Sequence, residues 1–230
     1  MALEVSHLTD DELITYSRIH AGAFQHNLNR LLYTGPISTS SQAILTQNLQ
    51  KNRSKDPNYH LIKAADEATG EIIGCAKWIF HPNGRTQKEL DNDSSHPAAS
   101  IPEANPAAWQ AFFNLLTHEK NVIFGTKPFY GRFIIYKQII SAKGSHVELS
   151  ALFTDSNHYR RGAGGLLLRW GIEQADKAEL PCYLEATVMG KPLYERHGFH
   201  AVKELTFDAT QFGVDAVSYT HLTLPTILRV

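Results

Sequence analysis

Apolar and polar positions change period several times along this chain, and each change marks an element. Leu3 to Leu8 reads as a short strand. Thr9-Asp10-Asp11-Glu12 then forms a capping box, with Leu13, Tyr16, Ile19 and Ala23 following at helical spacing. A second helix is predicted over Ser40 to Asn52, ending before Asp56-Pro57-Asn58. Tyr59 to Ala64 and Ile72 to Phe80 read as strands, and the turn Ala68-Thr69-Gly70-Glu71 between them predicts an antiparallel pair. From His81 to Asn105 the periodicity stops; Asn, Ser, Pro, Gly and charge predict a long exposed loop. Pro106 to His118 returns to helical spacing, with Trp109, Phe112, Phe113 and Leu116 on one face.

The second half is more regular. Val147, Leu149, Ala151 and Phe153 alternate with Glu148, Ser150, Leu152 and Thr154, which predicts a strand with Glu148 on the same face as Ser150 and Leu152. A helix is predicted from Gly165 to Lys177, with Leu168, Ile172 and Ala175 on one stripe, ended by Leu180-Pro181. Cys182 to Ala186 is then the second strand of a β-α-β unit, which implies parallel pairing. A short helix around Tyr194 and a strand from Phe199 to Phe207 complete the pattern.

Two segments stand apart. Phe129 to Ser145, with the apolar run Phe133-Ile134-Ile135-Tyr136, interrupts a direct run from Lys127-Pro128 into His146-Val147. It reads either as a genuine extra strand or hairpin, or as a short intron left unspliced. The ten residues from Val217 to Thr226 match the translation of a transposon-end adapter used in sequencing libraries. On that match, residues 217–230 are a non-native tail and the domain is 1–216.

Composition narrows the class. With 230 residues, 43% of them hydrophobic, the chain can bury the core of one generous domain. A net charge of −1 gives no basic field for nucleic acid. Two cysteines make no disulfide framework and read as buried thiols in a reducing compartment. No signal peptide and no apolar run long enough for a bilayer are seen, so a cytoplasmic protein is expected, with the nucleus left open.

The chemistry is concentrated in Tyr159-Arg160-Arg161-Gly162-Ala163-Gly164-Gly165, between a strand and an apolar helix. Such a turn makes a phosphate cradle: the first N–H groups of the helix lack partners, and glycine lets an anion approach the backbone. A dinucleotide fingerprint fails, because Leu167 stands where its third glycine belongs, and no Walker loop is present. Downstream lies Tyr194-Glu195-Arg196-His197-Gly198-Phe199, its tyrosine 32 residues after Gly162.

Together these segments resemble the acetyl-coenzyme A site of the GNAT N-acetyltransferases. The resemblance covers roughly Leu3 to Gly213 and is strongest from Val147 to Phe207. The end of the family's Gln/Arg-x-x-Gly-x-Gly/Ala loop fits Gly162-Ala163-Gly164; Tyr159 at its first position departs from it, and so does the lack of the usual asparagine early in the tyrosine helix. The resemblance implies an α/β fold, a mixed, splayed central sheet with helices on both faces. It implies acetyl-coenzyme A as co-substrate, held by Leu152, Phe153 and Thr154 along a parted strand and by residues 159–165. It further implies an N–H near Leu152 that polarises the thioester carbonyl, and Tyr194 as the acid that protonates the departing thiolate.

For the base, Glu185 and Glu148 are the candidates, since a carboxylate inside a strand needs a reason. The twelve histidines are scattered at no zinc-like spacing, so no metal is expected. The acceptor, a small-molecule or peptide amine, is expected near Phe24 to Ser41, where Asn27, Asn29, Arg30 and Tyr33 are candidates for its lining. The alternatives are a catalytically silent acyl-coenzyme A sensor and an unrelated nucleotide-binding domain; oligomeric state is not readable.

Overall fold

A computed structural model describes residues 2–23, 27–86, 101–124, 144–215 and 217–224. The strands are Leu3–His7 (β1), Tyr59–Asp66 (β2), Ile72–His81 (β3), His146–Thr154 (β4), Cys182–Thr187 (β5), His200–Phe207 (β6) and Val217–Leu224 (β7). The helices are Leu13–Ala23 (α1), Asn27–Leu32 (α2), Thr39–Lys55 (α3), Pro106–Phe124 (α4), Ala163–Lys177 (α5) and Lys191–Arg196 (α6). The strands form one mixed sheet in the order β1-β2-β3-β4-β5-β7-β6. Among the described residues only β4 and β5 are parallel neighbours, joined through α5 as the β-α-β pattern requires.

Helices cover both faces. On one face α5 packs Leu167, Leu168 and Ala175 against Ile73, Trp78, Val147, Leu149 and Leu184. The fit is close: a Cβ on Gly171 would lie 2.1 Å from the Trp78 indole. Trp78 is fully buried, and its Nε1–H donates to the Leu167 carbonyl at 3.4 Å. On the other face α1 brings Leu13, Tyr16 and Ile19 onto Leu61, Cys75 and Phe153. Of the expected capping box only the reciprocal half is seen, the Glu12 carboxylate accepting the Thr9 N–H at 2.9 Å, and α1 itself starts at Leu13.

Several expectations change. Helix α4 runs to Phe124 rather than His118, and α3 extends to Thr39 and Lys55 at its two ends. Helix α2, too short for a visible period, was not predicted. The inner end of the loop is not exposed: Ile101 and Ala104 are buried with Leu31, Leu32 and Phe112, and Ala104 bridges Tyr33. Residues 125–143 lie outside the described residues, and with them all but Gly144 and Ser145 of the segment read as insertion or intron.

The strict alternation predicted for β4 fails. The β3–β4 register shifts between Lys77 and Trp78, leaving Ser150 as an extra residue between Leu149 and Ala151. Val147 and Leu149 therefore share the α5 face with Leu152, while Phe153 turns to α1. Glu148 accordingly shares its face with Ala151 and Phe153, not with Leu152.

Of the residues set apart by their adapter match, all after Leu224 lie outside the described residues, and Val217–Leu224 form β7. Their alternation suffices for pairing with β5 on one side and β6 on the other, and Leu222 is fully buried.

Candidate active site

The site begins where two parallel strands part. Strands β4 and β5 pair only from Val147↔Cys182 to Leu149↔Leu184. Beyond that point β5 continues along β7, as far as Thr187↔Tyr219, while β4 continues along β3, as far as Thr154↔Gly74. The Asp155 N–H donates to the Ile73 carbonyl at 2.8 Å, so by alternation Phe153 and Ala151 also face β3. Leu152 and Thr154 then turn their N–H and C=O groups into the gap. Before the bulge the parity is reversed: the Val147 N–H donates towards β5, to the Pro181 carbonyl at 2.9 Å. The bulge thus separates paired from open backbone.

The glycine turn closes one end of this gap. Asp155 caps a single 3₁₀ turn, Ser156–His158, accepting the Asn157 N–H at 3.1 Å. Arg160 (φ 63°) and Gly162 (φ 90°) are both left-handed, and the second position favours glycine strongly. Leu166 is the first residue of α5 whose N–H closes a helical bond, to the Gly162 carbonyl at 3.1 Å. The N–H groups of Ala163, Gly164 and Gly165 have no helical acceptor, and they sit at the positive end of a four-turn helix. Arg161 is bound to Asp66 and lies 2.9 Å from His158 Nδ1, so it braces the loop against β2. Tyr159 is exposed.

Tyr194 lies on α6, just after β5. Its neighbour Leu193 meets Gly164, where a Cβ would be 3.3 Å from Leu193 Cδ2 and 3.9 Å from Leu152 Cδ2. One contact set therefore brings together α6, the start of α5 and the open part of β4. Tyr194 is buried, its ring 6.1 Å from that of Phe199. Burial pushes its phenol well above the usual range, so the hydroxyl keeps its proton at any working pH.

Both candidate carboxylates lie on the opposite sheet face, flanking the parting point. Glu185 stands one residue past the last β4–β5 pair, and its Oε1 accepts the Tyr183 hydroxyl at 3.0 Å. Glu148 pairs across the strands with Tyr183. Its Oε2 is 3.4 Å from Lys120 Nζ, on α4, and 3.8 Å from His81 Nε2. Burial opposes ionisation, but the Lys120 ammonium, followed by His81, outweighs it and holds the carboxyl well below its usual range. His146 is fully buried, and burial together with His81 pushes its imidazole down to about 3.

His81, His146 and Glu148 bring three ligand-type atoms within 4.8 Å of one another. They are not read as a metal centre, because the Lys120 ammonium already supplies the cation at the carboxylate oxygen. Sequence reasoning missed His81, His146 and Lys120: the two histidines meet only through the β3–β4 register, and Lys120 arrives from the far end of α4.

The region where the acceptor is expected from the sequence is built by α2, α4 and the link after β6. Tyr33 is buried there, its ring 6.1 Å from Trp109, which stacks on Phe113 at 4.5 Å. Arg30 is exposed, and the side chains of Asn27 and Asn29 lie outside the described residues. Among the described residues no helix is long and apolar enough to cross a membrane.

The family model for the acetyltransferase (GNAT) family matches residues 24–199. A probable acyltransferase, SID5 of Ajellomyces capsulatus, is 38% identical over 45 residues, which is 20% of this chain and 33% of that protein. The matched stretch thus spans about a third of that curated relative. Arylalkylamine N-acetyltransferase 2 of Aedes aegypti superposes with a TM-score of 0.68 at 16% identity, over 99% of this chain and 100% of that one. A polyamine N-acetyltransferase of Drosophila melanogaster that forms N-acetylagmatine gives 0.63 at 14% identity, over 97% and 100%. At such identities these two share the fold.

Proposed function

The chain belongs to the GNAT acetyltransferase family, and from that premise we propose that it moves the acetyl group of acetyl-coenzyme A onto a primary amine by direct attack in a ternary complex. The observation that carries this reading is the parting of β4 from β5. Leu152 and Thr154 turn backbone that is unpaired among the described residues into a gap capped by the N–H groups of Ala163, Gly164 and Gly165, which have no helical acceptor.

A pantetheine arm carries amides at the spacing of a strand, so it pairs with the open edge of β4 as a further strand would. Its pyrophosphate fits the start of α5. Acetyl-coenzyme A supplies the activated acetyl group, as a thioester. The Leu152 N–H faces the gap beside the parting point, where it serves as an oxyanion donor. Tyr194, buried and protonated, is the acid for the departing thiolate. Glu185 and Glu148 draw the acceptor's ammonium to the other side of the parting, and Glu148 takes its proton. An amine acceptor is also what the two named structural neighbours use, by their descriptions.

The test is release of free thiol from acetyl-coenzyme A across a panel of amines, with Tyr194→Phe in parallel. Turnover should fall in the variant while cofactor affinity stays. A variant working at full rate would return Tyr194 to a packing role. Tight coenzyme A binding without turnover on any amine would instead make the protein a sensor.

A further inference from the structure

The weakness of Glu148 as a final proton acceptor points beyond it. A carboxylate held as firmly ionised as this one can pass a proton on, but it does not keep one at neutral pH. Its neighbour His81 carries an imidazole, whose ring nitrogens can take up a proton and give one back. His81 Nε2 faces Glu148 Oε2 at 3.8 Å, and its side chain is 19% exposed, against 13% for Glu148. It is the next group outward from the carboxylate, at the end of β3.

We propose that His81 receives, through Glu148, the proton given up by the acceptor's ammonium, and returns it to water. The inference rests on the acetyl-transfer reading above. The proton moves from the ammonium nitrogen to a Glu148 oxygen and from there to His81 Nε2. The nitrogen lone pair so freed forms the C–N bond, the C–S bond breaks, and the thiolate takes the proton of Tyr194. His81 touches no reacting atom; it acts through Glu148 and is a positioning and relay residue.

The surroundings suit this role. His146 lies beside His81, ring centroids 4.7 Å apart, and being buried and neutral it backs the imidazole without adding charge. From α4, Lys120 holds Glu148 in place from the other side at 3.4 Å. From β5, Tyr183 sets its ring edge-on to His146 at 6.3 Å and commits its hydroxyl to Glu185. Arg85, on the segment leaving β3, donates to Asn121 Oδ1 at 3.0 Å.

The experiment compares the chain with its His81→Gln variant, using an amine that the unsubstituted chain acetylates. In the variant kcat/KM should fall on the order of 10²-fold and lose its inflection between about pH 5 and 8. Coenzyme A affinity should hold within about twofold. Added imidazole should restore part of the rate. Full activity overturns the proposal, and so does a slower variant with an unchanged pH profile and no rescue, which marks a packing role. Should the melt show His81→Gln unfolded, ¹⁵N NMR of the unsubstituted chain decides: an imidazole at His81 that gains no proton over that range overturns it. Lack of turnover by the unsubstituted chain on every amine overturns the acetyl-transfer reading itself, and this inference with it.

Discussion

The two sides of β4 solve different problems. On the α5 side the chain builds a cradle from one continuous stretch, the end of β4, a glycine turn and the start of a helix, closed by Leu193 and Tyr194. On the other side nothing is continuous. Helix α2, residues 101–105, helix α4 and the link after β6 converge from four parts of the sequence on one aromatic cluster. The invariant part of the reaction, an activated acetyl group on a long carrier, calls for backbone groups that any side chains supply. On the proposed reading the acceptor calls for particular side chains, and those come from connections that can change without disturbing the sheet.

The largest effect should come from removing residues 217–224. Among the described residues β5 has no strand partner on the β4 side past Leu184, so β7 supplies the ladder that holds the stretch from Glu185 to Thr187, one wall of the gap. Strand β6 pairs with β7 as well, and Leu222 is fully buried. Truncation should therefore cost on the order of 5 kcal/mol and abolish coenzyme A binding. A truncated chain that melts at the same temperature and still binds coenzyme A would show that β7 does not hold β5, as expected of a foreign tail.

Next in size is a pair of prolines on the same strand. Ala151 turns its N–H to β3, whereas Thr154 turns its own into the gap. Ala151→Pro should cost about 3 kcal/mol in stability through a lost ladder bond. Thr154→Pro removes no ladder bond. It should weaken coenzyme A binding at least tenfold, about 1.4 kcal/mol, with a smaller shift in the melt. Equal melting shifts, with affinity untouched in Thr154→Pro, would mean that the open edge of β4 is not where the arm binds.

The same contrast explains what could be read in advance. The cradle was legible because its signals are local: Gly162 to Gly165 open a helix straight after a strand, and Tyr194 sits a fixed distance beyond. The bulge at Ser150 was not legible, since an extra residue in an alternating strand leaves no mark on composition. It reverses the faces of everything after it and so moved Leu152 away from Glu148. The acceptor side was hidden for another reason. Ile101 and Ala104 are two apolar residues in a polar stretch, and only their fit against Leu31 and Phe112 makes them core. His81 and His146 stand 65 positions apart and become neighbours through strand register alone.

The smallest expected effect is a pH dependence on the acceptor side. Glu103 ties residues 101–105 to the start of α3. Its Oε2 accepts the Ser41 hydroxyl at 2.6 Å and its Oε1 the Ser38 N–H at 3.0 Å, while its carbonyl accepts the Thr34 N–H at 2.8 Å. Hydrogen bonds from Ser41 and Ser38 push the carboxyl from its ordinary 4.5 down to about 2. A depressed folded-state value stabilises the fold at every pH above the unfolded one, and that stability drains away as pH falls from 4.5 towards 2. Glu103→Gln keeps the shape and removes the titration. Its melting temperature should therefore fall less steeply across that interval than that of the unsubstituted chain, with little difference between the two slopes above it. Coenzyme A affinity at neutral pH should not change, while KM for the amine should rise, because the tie holds only the acceptor side. Parallel pH slopes for the two proteins would show that the serines do not bind the carboxylate in solution. A loss of coenzyme A affinity in Glu103→Gln would show that the two sides of β4 are not independent.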